Sequence, residues 1–249
     1  MSPQRIEELL REVASGTVSP EEAVGLLQEL PFAEMGHTTL DLHRELRQGI
    51  PETVFGAGKT AEQLTDILGR LYAAHHRALA TRVSARKAEA VIEALPDARY
   101  DQLSRLLTLG NCPEPTSDPQ VIVACAGTSD LPVAEEAAQT LEFLGHPVAR
   151  LTDVGVAGIH RLLDKTEQLR RARVVISVAG MEGALTSVIG GLVGCPVIGV
   201  PTSVGYGVAR KGETALRAML TSCASGVAVV NIDNGFGAAI FAHTILSQG

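Results

Sequence analysis

The sequence predicts an α/β protein, a doubly wound parallel sheet preceded by a smaller α+β domain. Three observations carry this. Five apolar runs bounded by glycine recur after residue 120, each followed by a helical pattern, as parallel strands buried on both faces require. Before residue 112 the texture differs, with charged amphipathic segments alternating with short apolar ones. Between the two lies "NCPEPTSDP", Asn111 to Pro119, with three prolines in nine residues. The predicted organisation is an N-terminal domain over 1–111, a linker over 112–119 and a sheet domain over 120–249.

The first elements follow from period and capping. Apolar residues three or four apart predict helices over Arg5–Ala14 and Pro20–Leu30, the second opened by Ser19 as cap with Glu21 and Glu22 in its first turn. "HTTLDLHREL" alternates as a strand does, and "GIPETVFGAGKT" holds a turn and a second short strand. Helices are expected over Ala61–Ala73 and Ser84–Leu95, with His75 and His76 an exposed helical pair. "GAGKT" ends like a phosphate-binding P-loop, but the first glycine of that pattern falls at Thr53, so ATP hydrolysis is not expected.

Beyond the linker, "VIVACAGTSD", "HPVARLTDVG", "ARVVISVAGMEG", "CPVIGVPTS" and "SGVAVVNIDNG" read as five strands, the first followed by a helix over Pro132–Leu144. Ligands of such sheets bind outside the carboxyl ends of the strands. The segments there are rich in Gly, Ser, Thr and acids, which suits close backbone approach and phosphate contacts. They nominate Gly127, Thr128, Ser129 and Asp130; Gly180, Met181 and Gly183; Thr202, Ser203, Tyr206 and Lys211; and Asp233 with Asn234. Bland roles compete at several positions: helix capping at Ser129 and Asp130, a solvated loop at Arg210 and Lys211, an Asx turn at Asp233–Gly235. Glu182, flanked by small residues in an apolar neighbourhood, needs a partner or a task. His160 stands at a helix start.

Composition narrows the function. A net charge of −7 excludes a nucleic-acid backbone as the expected partner, and 3% aromatic residues give few stacking platforms. No apolar run reaches the ~18 residues of a membrane span and the N-terminus is a charged amphipathic helix, so a cytoplasmic protein is expected. Cys112, Cys125, Cys195 and Cys223 lack metal-ligand spacing. Cys223, between a helical stretch and the last strand, is either core filler or a working thiol. Within one subunit it lies at the end of the strand opposite the ligand edge, so a neighbouring copy is needed to bring it to a site.

The stretch Val121–Val208 resembles PurE-type aminoimidazole ribonucleotide carboxylases, through "GTSDLP", "AGIHR" and "GCPVIGVP". Its departures, "GIHR", "AGMEGALTSVIGG" and the added N-terminal domain, together with "FGAGKT", "SVGYGV" and "TSCASGVAVVNIDNGFGAA", resemble the LarB family over nearly the full chain. The resemblance implies a PurE/flavodoxin-like fold and an octamer-like ring of identical subunits. It also implies synthesis of pyridinium-3,5-biscarboxylic acid mononucleotide from nicotinic acid adenine dinucleotide and CO2 or bicarbonate, the first step toward the nickel-pincer cofactor, with release of AMP and assistance from Mg2+. Under it Cys223 matches the nucleophile, Glu182 stands at an acidic position suited to base or metal ligand, and Thr128, Ser129 and Asp130 match the loop that holds the ribose phosphate. His160 stands near the proton-handling histidine of PurE relatives, in a different local register. A purine-pathway carboxylase or mutase and a non-catalytic nucleotide-binding protein are the alternatives.

Overall fold

The computed structural model describes residues 3–28, 32–36, 38–111 and 118–248. These fall into two compact units, Met1–Asn111 and Cys112–Gly249. Most of the proline-rich segment expected as a linker lies outside the described residues.

The N-terminal unit begins with helices α1 (Pro3–Ala14) and α2 (Pro20–Gln28) and a two-residue hairpin, β1 (Ala33–Glu34) against β2 (Thr39–Leu40). Ser19 opens α2 as expected, accepting from the Glu22 N–H while Glu22 accepts from its own. The strand expected over "HTTLDLHREL" stops at Leu40. Arg44–Gln48 is instead a short helix, α3, ended by Gly49 in the left-handed region (φ 74°). Alternation there comes from Leu40 and Leu42 turning inward, while Arg44 and Arg47 fold back onto Asp41.

A mixed sheet follows, with strand order β3 (Thr53–Phe55), β4 (Arg77–Thr81), β6 (Leu106–Gly110), β5 (Ala98–Asp101); β3 and β4 are parallel and the other pairs antiparallel. Helices α4 (Ala61–His75) and α5 (Ala85–Ala94) cover it through Leu64, Ile67, Leu68, Leu71, Ala88 and Val91. Thr60 caps α4 in a reciprocal box with Gln63. His75 corrects the expectation of an exposed pair: it is buried, its Nδ1 2.7 Å from Glu45 Oε2, while Arg77 donates to Glu45 Oε1 at 3.1 Å. Burial pushes the Glu45 carboxyl up, but the hydrogen bond and charge of His75 and the charge of Arg77 outweigh it and hold the carboxyl below its usual range.

The C-terminal unit is the expected five-stranded parallel sheet, in the order β11 (Val227–Val229), β10 (Val197–Pro201), β9 (Val174–Ala179), β7 (Val121–Cys125), β8 (Val148–Leu151). Alternate residues of the apolar runs serve two cores. Val121, Val123, Val174 and Ile176 meet α6 (Leu131–Phe143) and α11 (Gly235–Ser247) on one face. Ile122, Ala124 and Val175 face the other core, which α7 (His160–Leu163), α8 (Thr166–Arg170), α9 (Ala184–Leu192) and α10 (Glu213–Leu220) complete with Leu162, Leu169, Ile189 and Met219. The strand order reverses between β7 and β9, which opens a crevice at their carboxyl ends. No helix is long and apolar enough to cross a membrane among the described residues.

Candidate active site

A cleft of about 270 Å3 lies at that switch point. Its wall is made by Ala126, Gly127, Ser129 and Asp130 after β7, by Gly155 to Ala157 and Arg161 after β8, by Gly180, Met181 and Glu182 after β9, and by Val204 after β10.

Asp130 organises this wall rather than its opening. The carboxylate is 4% exposed and accepts from the Thr202 hydroxyl at 2.6 Å, from the Gly127 N–H at 3.0 Å and from the Gly180 backbone. Burial pushes its carboxyl up, and those three donors partly restrain it. The N–H groups of Gly127 and Gly180 are therefore spent on Asp130, and what these glycines offer a ligand is close approach. At Gly180 the need is steric: a Cβ would stand 2.4 Å from Val204 O and 2.7 Å from Thr202 Oγ1. Met181 follows in the left-handed region (φ 53°), its N–H given to Val204 O at 2.9 Å. That conformation turns the exposed Glu182 toward the cleft.

The sequence-nominated residues divide into three groups. Gly127, Ser129, Asp130, Gly180, Met181 and Glu182 come together on the cleft. Thr128 is exposed on the turn beside Ser129. Gly183 packs on α10 against Ala215, and Thr202 is fully buried behind the wall. Asp233 accepts the Ser203 N–H at 2.7 Å, joining the loops after β10 and β11 rather than closing a local Asx turn, and Asn234 caps α11 through the Gly237 N–H. Tyr206 and Lys211 stand on the loop after β10. Tyr206 is 81% exposed and Val208 82%, with Arg210 and Lys211 both at positive φ.

His160 is exposed at the start of α7 and does not line the cleft; its neighbour Arg161 does. Arg161 pairs with Asp153 and folds over Gly158, where a Cβ would meet its Nε at 2.8 Å. Sequence reasoning passed it over because a one-turn helix carries no period to assign register. The signal was "AGIHR" itself, where the only cation of this loop follows the histidine.

Cys223 lies in the loop between α10 and β11, at the amino edge of the sheet. It is exposed, whereas Cys125 is buried and Cys195 partly so, and burial pushes the thiols of both Cys125 and Cys195 up. Its loop is anchored to α9 by a 2.8 Å hydrogen bond between the Ser222 and Ser187 hydroxyls.

Residues 32–111 match the family profile described as the LarB/PurE-like N-terminal domain, and residues 120–249 match the AIR carboxylase profile. The chain belongs to the LarB family. Its C-terminal unit is PurE-like, and its function is of the PurE-related carboxylase type. An uncharacterised protein of Methanocaldococcus jannaschii is 39% identical over 257 residues, 97% of either chain. N5-carboxyaminoimidazole ribonucleotide mutase of Pyrococcus horikoshii is 34% identical over 138 residues, 51% of this LarB-family chain and 72% of the mutase. The crystal structure of a Treponema denticola PurE2 variant aligns with a TM-score of 0.45 at 23% identity, covering 53% of this chain and 82% of that one.

Proposed function

We propose that the protein carboxylates the pyridinium ring of nicotinic acid adenine dinucleotide at C5 and hydrolyses the phosphoanhydride, giving pyridinium-3,5-biscarboxylic acid mononucleotide and AMP. The observation that carries this reading is the exposed Cys223 thiol in a LarB-family chain whose other described cysteines are buried (Cys125) or half-buried (Cys195).

The pyridinium ring is too electron-poor at C5 to attack CO2. Addition of the Cys223 thiolate at C4 removes the aromaticity and makes C5 an enamine-type carbon. C5 bonds to CO2, a base removes the C5 proton, and the C4–S bond breaks to restore the pyridinium and the thiolate. Glu182, exposed on the cleft, is the carboxylate available to take that proton. Water then cleaves the phosphoanhydride.

No cluster of three or more His, Cys, Asp or Glu side chains suited to a metal occurs among the described residues. Magnesium needs fewer, since it is commonly held by one or two carboxylates together with substrate phosphates; Glu182 fits that demand as the alternative to acting as the base, because a carboxylate that ligates the ion does not also take the C5 proton. Held there, the ion would neutralise charge on the diphosphate. Arg161 supplies fixed positive charge to the same cleft, and the Ser129 hydroxyl a neutral donor.

Cys223 precedes the amino end of β11 while the cleft follows the carboxyl ends of β7 to β10, so the reading requires a second copy of the chain to bring a thiol to each cleft. A cytoplasmic homo-oligomer is the form proposed.

The test is incubation with nicotinic acid adenine dinucleotide, Mg2+ and bicarbonate, followed by mass spectrometry for AMP and a mononucleotide heavier by one carboxyl group. The identity with the Pyrococcus mutase favours a second reading, a purine-pathway carboxylase or mutase. Turnover of aminoimidazole ribonucleotide, retained in Cys223→Ser, would establish that one instead.

A further inference from the structure

We infer that Ser187 and Gly190, on one face of α9, are positioning residues that aim the Cys223 thiol. The inference rests on the carboxylase reading of that cysteine. Exposure alternates along the loop between α10 and β11: Ser222 and Ala224 turn inward and are half-buried, while Cys223 between them faces solvent. The Ser222 hydroxyl accepts the Ala224 N–H at 3.2 Å, which closes a tight side-chain turn with Cys223 at its apex.

Both flanks of that apex rest on α9. Ser222 Oγ lies 2.8 Å from Ser187 Oγ, a hydrogen bond across 35 residues of sequence. Three positions further along the helix, and so on the same face, a Cβ at Gly190 would stand 2.8 Å from the Ala224 Cβ and 3.0 Å from Val227. Glycine inside a helix is costly relative to alanine, and here the turn it admits accounts for it. Its neighbour Gly191 has open space where a Cβ would go. Ser222 also continues the end of α10, its N–H given to Met219 O at 3.2 Å.

What this framework fixes is direction. It holds the backbone on either side of Cys223 and leaves the sulfur open to solvent. Exposure alone lets a small reagent reach the thiol from many sides, but addition at C4 of a ring held by another copy needs a single approach. Rate falls steeply with misplacement, about 100-fold for 1 Å.

The test is steady-state turnover of nicotinic acid adenine dinucleotide, with Mg2+ and bicarbonate, by the full chain and its variants. Ser187→Ala is expected to lower kcat about 10- to 100-fold with KM for the dinucleotide within about twofold of native, because the cleft lies at the other edge of the sheet. Ser187→Thr, which keeps the hydroxyl, restores most of the loss. Ser222→Ala gives a similar or greater deficit, and the double variant adds nothing to it, since the two hydroxyls act as one unit. Gly190→Ala lowers kcat likewise, whereas Gly191→Ala, with the same gain in helix propensity, leaves it unchanged. Iodoacetamide, which meets the thiol from any side, alkylates Cys223 of Ser187→Ala at within about threefold of the native rate, so aim and not reactivity is lost. Product from the native chain with kcat undiminished in Ser187→Ala, or with Gly190→Ala and Gly191→Ala alike, overturns this inference alone. No product from the native chain overturns the carboxylase reading and this inference with it.

Discussion

The Thr202 hydroxyl donates to Asp130 Oδ1 at 2.6 Å across 72 residues of sequence, joining the loop after β10 to the loop after β7 behind the cleft. Both groups are buried, so neither has water as a substitute partner. Thr202→Val is expected to cost about 1.5–3 kcal/mol at neutral pH. Burial raises the Asp130 carboxyl, so its contribution to stability is complete below the ordinary carboxylate range and is lost as pH rises through its folded-state value. Losing Thr202 raises that carboxyl further, so the deficit of the variant widens toward alkaline pH and narrows in acid. Urea unfolding at several pH values checks the sign; a pH-independent deficit would refute it.

Glu45 has the opposite sign. Its carboxyl is held below the usual range by His75 and Arg77, so the stability it contributes is present above the unfolded value and lost as pH falls through the folded one. Glu45→Gln leaves His75 and Arg77 beside a neutral amide and is expected to cost about 3–5 kcal/mol at pH 7 and much less in acid. Thermal unfolding across the acid range measures this.

Gly180→Ala places a methyl group against the Val204 carbonyl and the Thr202 hydroxyl. The clash is with backbone, so side-chain rotation does not relieve it, and a loss of about 1–3 kcal/mol together with a distorted cleft is expected. Unaltered thermal stability would show that the loops after β9 and β10 separate freely.

Arg161→Ala tests the cleft cation. The Arg161–Asp153 pair is exposed enough that its loss costs about 1 kcal/mol of stability or less. KM for a phosphate-bearing substrate is expected to rise about 10- to 100-fold as one charge-assisted contact of about 1.5–3 kcal/mol disappears. Steady-state kinetics of the variant is the measurement.

Among Cys125, Cys195 and Cys223, iodoacetamide is expected to alkylate Cys223 first, Cys195 more slowly and Cys125 only on unfolding, in the order of their exposure. Mass spectrometry of timed digests gives the order. Protection of Cys223 by nicotinic acid adenine dinucleotide would place the substrate beside it.

The parallel sheet was legible because strands buried on both faces need unbroken apolar runs, as Val174–Ala179 and Val197–Pro201 provide. The N-terminal sheet was less so. Arg77–Thr81 begins with a charge and Leu106–Gly110 ends on a glycine, both in five residues, too short for period to separate strand from helix. At the cleft the small residues and acids were visible in sequence, but their division of labour was not. Asp130 and Thr202 look like phosphate contacts until the partner 72 positions away is seen, and a solvent-facing Cys223 is indistinguishable in pattern from a packed one.

The strands of the C-terminal sheet set a distance that side chains do not cross. Five residues of β10 at about 3.3 Å each put roughly 16 Å between the edge carrying Cys223 and the edge carrying Glu182. If both act on one ring, a solitary chain is inert, and specific activity collapses on dilution below the dissociation constant of the assembly. Two dead proteins, Cys223→Ser and Glu182→Gln, should then revive each other when unfolded and reassembled together, recovering roughly a quarter of native turnover from randomly mixed assemblies.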